Sequence, residues 1–210
     1  MELVVLGWPA DGPTLRLDHR RFSYAGKFVM SNTGKAVARD PDGATTPPEG
    51  RSDDGEVFDG DDDPYDRDVL AAVAFNEDRT DPTTLWLRYV TVRDDRRGEG
   101  LGPRLLGFVA DCAEARGYER VRIAVNNPFA YEACHKVGFG YTGEETGIAE
   151  LVLDRPAPAG SDPDRYRSGL DAFRDRDLGD PEATFLAARE GAAPPARIET
   201  PPCDGGDVDS

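Results

Sequence analysis

Three alternating glycines, Gly98, Gly100 and Gly102, crowd the point where a strand-like run becomes a helical one, and no other stretch constrains the fold as tightly. Upstream, residues 85–92 (LWLRYVTV) are rich in aromatic and β-branched side chains, as strands on a covered sheet are. Downstream, Leu101, Leu105, Phe108, Val109 and Cys112 recur at helical spacing as one apolar stripe, which Gly117 ends with Arg116 in the last turn. Val121, Ile123 and Val125 then alternate with Arg120 and Arg122, the mark of a strand. A strand-helix-strand unit of this length closes as a right-handed parallel crossover.

The flanking segments set the sheet type. Residues 69–75 (VLAAVAF) read as a buried strand joined to 85–92 by a polar turn, so the two are expected to be antiparallel neighbours. Residues 3–6 read as a first strand, and 28–30 and 36–38 as a hairpin about Asn32-Thr33-Gly34. Asn127 and Pro128 open a second, shorter helix as N-cap and first residue, closing at Gly138; residues 148–153 form a last strand. The fold expected is α/β (α+β): a mixed, mostly antiparallel sheet rather than a doubly wound one.

Composition divides the chain. Residues 1–40 hold the N-terminal strands and 69–154 the compact core. Residues 41–68 form an acidic insertion, and 155–210 an acidic tail with one helix bearing Tyr166, Leu170 and Phe173 on a face. Both acidic segments are too poor in apolar residues to offset their ordering entropy and are expected to be largely disordered, the tail above all beyond Gly191. The formal charge is −16, Asp outnumbers Glu, and lysine occurs only at Lys27, Lys35 and Lys136, a balance that resembles halophile proteins. Such a surface excludes nucleic-acid binding, which needs a basic face. No apolar run reaches the roughly 20 residues that span a bilayer and no secretory leader is visible, so a soluble cytoplasmic protein is expected. Cys112, Cys134 and Cys203 show no paired or metal-type spacing, and His19 and His135 cannot build a zinc cluster, so no metal is expected.

Glycines at the start of a helix let backbone approach a ligand at a point where free N–H groups and the helix dipole attract anions, diphosphate included. Arg93, Arg96, Arg97 and Arg104 make this turn locally basic. A P-loop is excluded because no Lys lies here, and a dinucleotide fingerprint fits poorly because position 103 is Pro rather than Gly.

The pattern Arg97-Gly98-Glu99-Gly100-Leu101-Gly102 resembles the pyrophosphate loop of the Gcn5-related N-acetyltransferase (GNAT) family, between its fourth strand and third helix. The segment from Asn127 to Phe139 is similar to that family's second cofactor segment, one helix and one strand further on. The resemblance spans roughly residues 69–153. It implies acetyl-CoA as co-substrate, with backbone groups at Val90 and Val92 holding the pantetheine arm, Arg97, Gly98, Glu99, Gly100, Leu101 and Gly102 the pyrophosphate, and Asn127 a further contact. It implies transfer of the acetyl group by direct attack of a primary amine, on a small molecule or a protein.

The family's proton donor is commonly a Tyr four residues before the Gly-Phe pair. Here that position is Cys134, with Tyr131 one turn earlier; these two and solvent are the candidate acids. No carboxylate lies in 85–92, so Glu77, Asp78 and Glu150 are weak base candidates beside a water relay. The family usually shapes its acceptor site with helices between the first two strands, but residues 11–40 show little amphipathic pattern. A pocket that is reduced, open or completed by a second subunit of a homodimer is therefore expected, with Trp8, Phe22, Tyr24 and Trp86 available to line it. The alternative reading is a non-catalytic acyl-CoA-binding sensor or interaction module.

Overall fold

A computed structural model describes residues 1–40, 65–160 and 163–203; the expected insertion at 41–68 lies outside these except for its last residues, as does the end of the tail. Seven strands form one sheet in the order β1-β2-β3-β4-β5-β7-β6. They are β1 (Glu2–Gly7), β2 (Gly34–Arg39), β3 (Val69–Glu77), β4 (Thr84–Val92), β5 (Arg120–Val125), β6 (Gly140–Glu145) and β7 (Leu151–Arg155). Among the described strands only β4 and β5 pair in parallel, joined by helix α1 (Leu101–Ala115); all other neighbours are antiparallel. This is the mixed, mostly antiparallel α/β sheet expected.

Leu101, Leu105, Phe108, Val109 and Cys112 bury the stripe of α1 against Val73, Phe75, Leu85 and Leu87. Helix α2 (Pro128–His135) adds Tyr131 and Cys134 to the same cluster. On the other side of β2 and β3 a second cluster gathers Val37, Ala72 and Ala74 under Leu15, Leu17, Phe22 and Phe28. No α-helix forms between β1 and β2: only two short 3-10 turns, Pro9–Asp11 and Ala25–Lys27, interrupt an irregular cover. Lys35 organises that cover. It is fully buried, and its ammonium donates to the carbonyls of Pro13 and Met30 at 2.6 Å and to the carbonyl and hydroxyl of Thr33 at 3.0 Å. Burial lowers its pKa, and the four oxygens stand in for the water it has lost.

Four expectations are corrected. Residues 28–30 are not a strand: Phe28 donates to the Ala25 carbonyl and accepts from the Leu15 N–H, turn bonds that bury its ring without a ladder. Strand β6, half polar and glycine-bearing, went unread, and the last strand begins at Leu151, because Ile148 is exposed in the turn and Ala149 is left-handed. The tail forms two helices rather than one, α3 (Pro163–Arg174) and α4 (Asp180–Ala187), with Tyr166, Leu170 and Phe173 buried in the main cluster. Finally, Cys112 and Cys203 form a disulfide across 91 residues. The segment that carries Cys203 crosses α1, where the Thr200 hydroxyl donates to Asp111 at 2.6 Å and the Ile198 N–H donates to the Lys136 carbonyl at 2.9 Å.

Candidate functional site

The sheet opens at its centre. Pairing between β4 and β5 runs from Thr84↔Arg120 to Leu87↔Ile123 and stops, although both strands continue. The cause sits on the other edge of β4, where Ala74 pairs with Tyr89 but Phe75 pairs with Leu87, so Arg88 is an extra, bulged residue. A bulge bends and twists its strand, and the last part of β4 leaves β5. The Arg93 N–H donates to the Leu70 carbonyl on the β3 side. Strand alternation then turns the peptide groups of Val90 and Val92 towards the β5 side, where no strand among the described residues pairs with them. Two half-buried residues thus present unpaired backbone donors and acceptors to a gap in the sheet.

The glycine turn closes the end of that gap. Gly98 and Gly100 have φ of 85° and 77°, in the left-handed region that favours glycine, and a Cβ on either would meet no atom within 4 Å. Gly100 is the N-cap of α1 and supplies no side-chain cap, so the first N–H groups of the helix face open space. Gly102 packs close behind, where its Cβ would lie 3.4 Å from Val92. The local charge is less basic than the sequence suggests. Arg93 pairs with Asp95 at 2.7 Å, Arg96 with Glu99 at 2.8 Å and Arg97 with Asp94 at 2.5 Å. Arg97 also donates to the Ser23 hydroxyl at 3.1 Å, tying the turn to the cover of the opposite face. Exposed Arg104 keeps a guanidinium without a carboxylate partner among the described residues. A diphosphate here would be held mainly by backbone N–H groups and Arg104, and the open, uncapped turn fits such a group.

Asn127 caps α2: its side-chain oxygen accepts from the Ala130 N–H at 2.8 Å. That bond explains an Asn at this position without any ligand, while the residue stays half-buried.

Tyr131 and Cys134, expected as proton donors, are sealed. Both are 0 % exposed. The Tyr131 hydroxyl donates to the Tyr166 carbonyl of α3 at 3.1 Å, and burial raises its pKa. Burial pushes the Cys134 thiol up to about 12, and its Sγ sits in the apolar cluster. The reason is the docked tail, which covers the side of α2 that bears Tyr131. His135, expected at the surface, lies half-buried between the rings of Tyr131 and Tyr166, centroids 4.6 and 4.7 Å away, and its Nε2 has no hydrogen-bond partner among the described residues.

The base candidates lie elsewhere. Glu77 pairs with Leu85 at the far end of β4, roughly 13 Å along the strand from Val90, and accepts from the Tyr118 hydroxyl at 2.9 Å. Asp78 accepts from the N–H and hydroxyl of Thr80, at 2.8 and 2.7 Å, and these bonds lower its pKa. Glu150 is bound within its hairpin to Thr146. Of the aromatic candidates, Phe22 is core and Trp8 stacks on Tyr118 at 6.0 Å, whereas exposed Tyr24, with φ of 61°, faces Tyr89 at 6.2 Å. The sequence reading missed Arg88, the bulged residue itself: only the pairing register reveals it.

Solved structures similar to the chain include an N-acetyltransferase from Staphylococcus aureus Mu50, 16% identical with a TM-score of 0.41, the match covering 58% of this chain and 66% of that one. A GCN5-related N-acetyltransferase from Kribbella flavida is 22% identical with a TM-score of 0.41, covering 59% and 67%. A putative N-acetyltransferase from Lactobacillus plantarum is 17% identical with a TM-score of 0.46, covering 73% and 95%. These are distant likenesses of fold. The family model for the acetyltransferase (GNAT) family matches residues 33–139, slightly more than half of the sequence, from β2 through the opened strands and glycine turn to the end of α2. The chain belongs to the GNAT acetyltransferase family.

Proposed function

We propose that this protein transfers an acetyl group from acetyl-CoA to a primary amine by direct attack in a ternary complex. The observation that carries the reading is the gap between β4 and β5, with the unpaired peptide groups of Val90 and Val92 on one edge and the uncapped start of α1 at its end. Val90 and Val92 hold the pantetheine amides and orient the thioester carbonyl. The N–H groups from Arg97 to Gly102, with Arg104, hold the pyrophosphate. Asn127 keeps its capping bond and contacts the arm from the start of α2. When bound, acetyl-CoA supplies a thioester carbon open to attack by a neutral amine.

Sealed Cys134 and Tyr131, and the remote Glu77 and Asp78, favour water as the carrier of both protons, from the amine and to the departing thiolate. The chain's residues contribute position and a polarising backbone rather than a dedicated acid or base. The formal net charge of −16 with three lysines supports operation in concentrated salt, where anionic self-repulsion is screened. The reading takes the acceptor as a small-molecule or protein amine and includes no metal, nucleic acid or membrane partner.

The test is release of free thiol when acetyl-CoA and a panel of primary amines are mixed with the protein in concentrated KCl. Turnover on at least one amine is expected. Tight acetyl-CoA uptake without turnover on any would favour the sensor reading instead.

A further inference from the structure

Resting on that reading, we infer that Arg88 recognises a carboxylate on the acceptor, several bonds away from the amine that is acetylated. Leu85, Leu87, Val90 and Val92 belong to the cluster under α1, so a cofactor lying among the helix starts occupies that face of the gap. An acceptor must then meet it from the opposite face. There, Trp86 is half-buried and has two guanidinium groups near its ring: Arg88 at 4.4 Å from the ring centroid and Arg122 at 5.6 Å.

These two arginines differ in what they have left to offer. Arg122 is spent, since its Nε and Nη2 donate to the Asp154 carboxylate at 2.7 and 2.8 Å. Arg88 gives only its Nε–H, to the Asn76 side-chain oxygen at 2.6 Å, and no carboxylate pairs with it among the described residues. Asp78, the acid whose charge acts on Arg88, is engaged with Thr80. Its contact with Trp86 and its one bond to Asn76 orient the Arg88 guanidinium and leave its Nη edge without a partner among the described residues. That edge takes a carboxylate in bidentate fashion. In concentrated salt long-range repulsion is screened, and a direct guanidinium–carboxylate contact beside the gap is the electrostatic attraction that survives.

The bulge sets the spacing. Arg88 folds back over Trp86, which lies roughly 10 Å along β4 from the backbone of Val90, where the thioester carbonyl is oriented. An α-amino acid is too short to reach both points. The acceptor class is an amine separated from its carboxylate by a chain of several bonds, as in an ω-amino acid or a short peptide.

The experiment compares glycine, β-alanine, 4-aminobutanoate and 6-aminohexanoate with their primary amides, in the wild type, Arg88→Gln and Arg88→Lys, at constant ionic strength. The wild type is expected to prefer acid over amide by at least tenfold in kcat/KM at the longest member, and not at glycine. Arg88→Gln raises KM for the long acid by at least tenfold with kcat within about twofold, and leaves the amides unchanged; Arg88→Lys recovers part of the preference. Equal acid-to-amide ratios in wild type and Arg88→Gln at every length would overturn the assignment. Titration with 6-acetamidohexanoate, followed by Trp86 fluorescence, reads the same contact without catalysis. Binding to the wild type that weakens at least tenfold in Arg88→Gln supports the assignment, and no binding or equal binding overturns it. Calorimetry with acetyl-CoA separates the two layers: uptake intact in Arg88→Gln leaves the acetyltransferase reading standing whatever becomes of the carboxylate.

Discussion

The hydroxyl of Tyr131 on α2 donates to the backbone carbonyl of Tyr166 on α3 at 3.1 Å. The two rings stack with centroids 5.6 Å apart, and Gly169, one turn further along α3, leaves the room the hydroxyl needs. Glu132 extends the seam: it is 8 % exposed and pairs with Arg189 after α4, through Nη2 at 3.0 Å, and with Lys136 at 3.0 Å. A helix of the acetyltransferase core is thereby locked to the tail.

A Cβ on Gly169 would overlap the Tyr131 hydroxyl and ring. Gly169→Ala is therefore expected to destabilise the protein by about 2 kcal/mol through overpacking, read as a lower Tm. Tyr131→Phe removes the hydroxyl and one bond, at about 1 kcal/mol, and Cys134→Ala trims a buried thiol. Neither of these two should slow acetyl transfer more than about twofold at temperatures where the fold is intact. A hundredfold loss of kcat in either would restore that residue as the proton donor.

The disulfide between Cys112 and Cys203 closes a loop spanning 91 residues. Loop-closure entropy alone assigns it about 4.6 kcal/mol. Thermal unfolding with and without dithiothreitol should show a clear drop in Tm on reduction, and Cys203→Ser should match the reduced protein and ignore the reductant. Unfolded without reductant, the chain should titrate a single thiol, Cys134. Such bonds are rare where glutathione holds thiols reduced, so the thiol count of freshly isolated protein also tests the expectation of a cytoplasmic setting. Three thiols and an unchanged Tm would contradict the crosslink.

Burial, with Arg197 nearby, lowers the pKa of His135 from 6.5 to about 4, against the opposing pull of Glu132. A group depressed on folding is neutral in the folded protein and protonated in the unfolded chain between those values. The unfolded state then binds more protons, so stability is full above pH 6.5 and is lost as the pH falls towards 4. The difference is worth no more than about 3 kcal/mol. His135→Phe keeps the ring stack and should flatten stability against pH in that window, measured by denaturant unfolding. An unchanged slope would mean that His135 does not titrate as described.

Gly100 caps α1 at φ 77°. Gly100→Ala forces a Cβ into the left-handed region and should cost about 1–2 kcal/mol of stability. Gly100→Asp adds a carboxylate beside the diphosphate and should weaken acetyl-CoA binding at least tenfold relative to Gly100→Ala. Equal affinity in the two variants would move the pyrophosphate away from this turn.

Much of this architecture was legible from local signals. The stripe of α1, the alternation of β5 and the Asn127 cap act within a few residues, and the Asn127 oxygen meets the Ala130 N–H as read. What escaped depends on distant partners. Cys112 and Cys203 have no spacing to recognise, and the tail's face of Tyr166, Leu170 and Phe173 fits docking on the core or staying solvated equally well until Tyr131 supplies its counterpart. Nothing local marks Lys35 as buried; the turns of Pro13, Met30 and Thr33 make it so. Arg88 is one more polar residue in β4 until the register shift against β3 marks it as the bulge that opens the sheet.

Isothermal titration of the intact protein with acetyl-CoA in concentrated KCl, beside Gly100→Asp, tests the central claim most directly. The account predicts saturable uptake of one acetyl-CoA per chain by the wild type and a loss of at least tenfold in the variant. No uptake of any coenzyme A species by folded wild-type protein would contradict it.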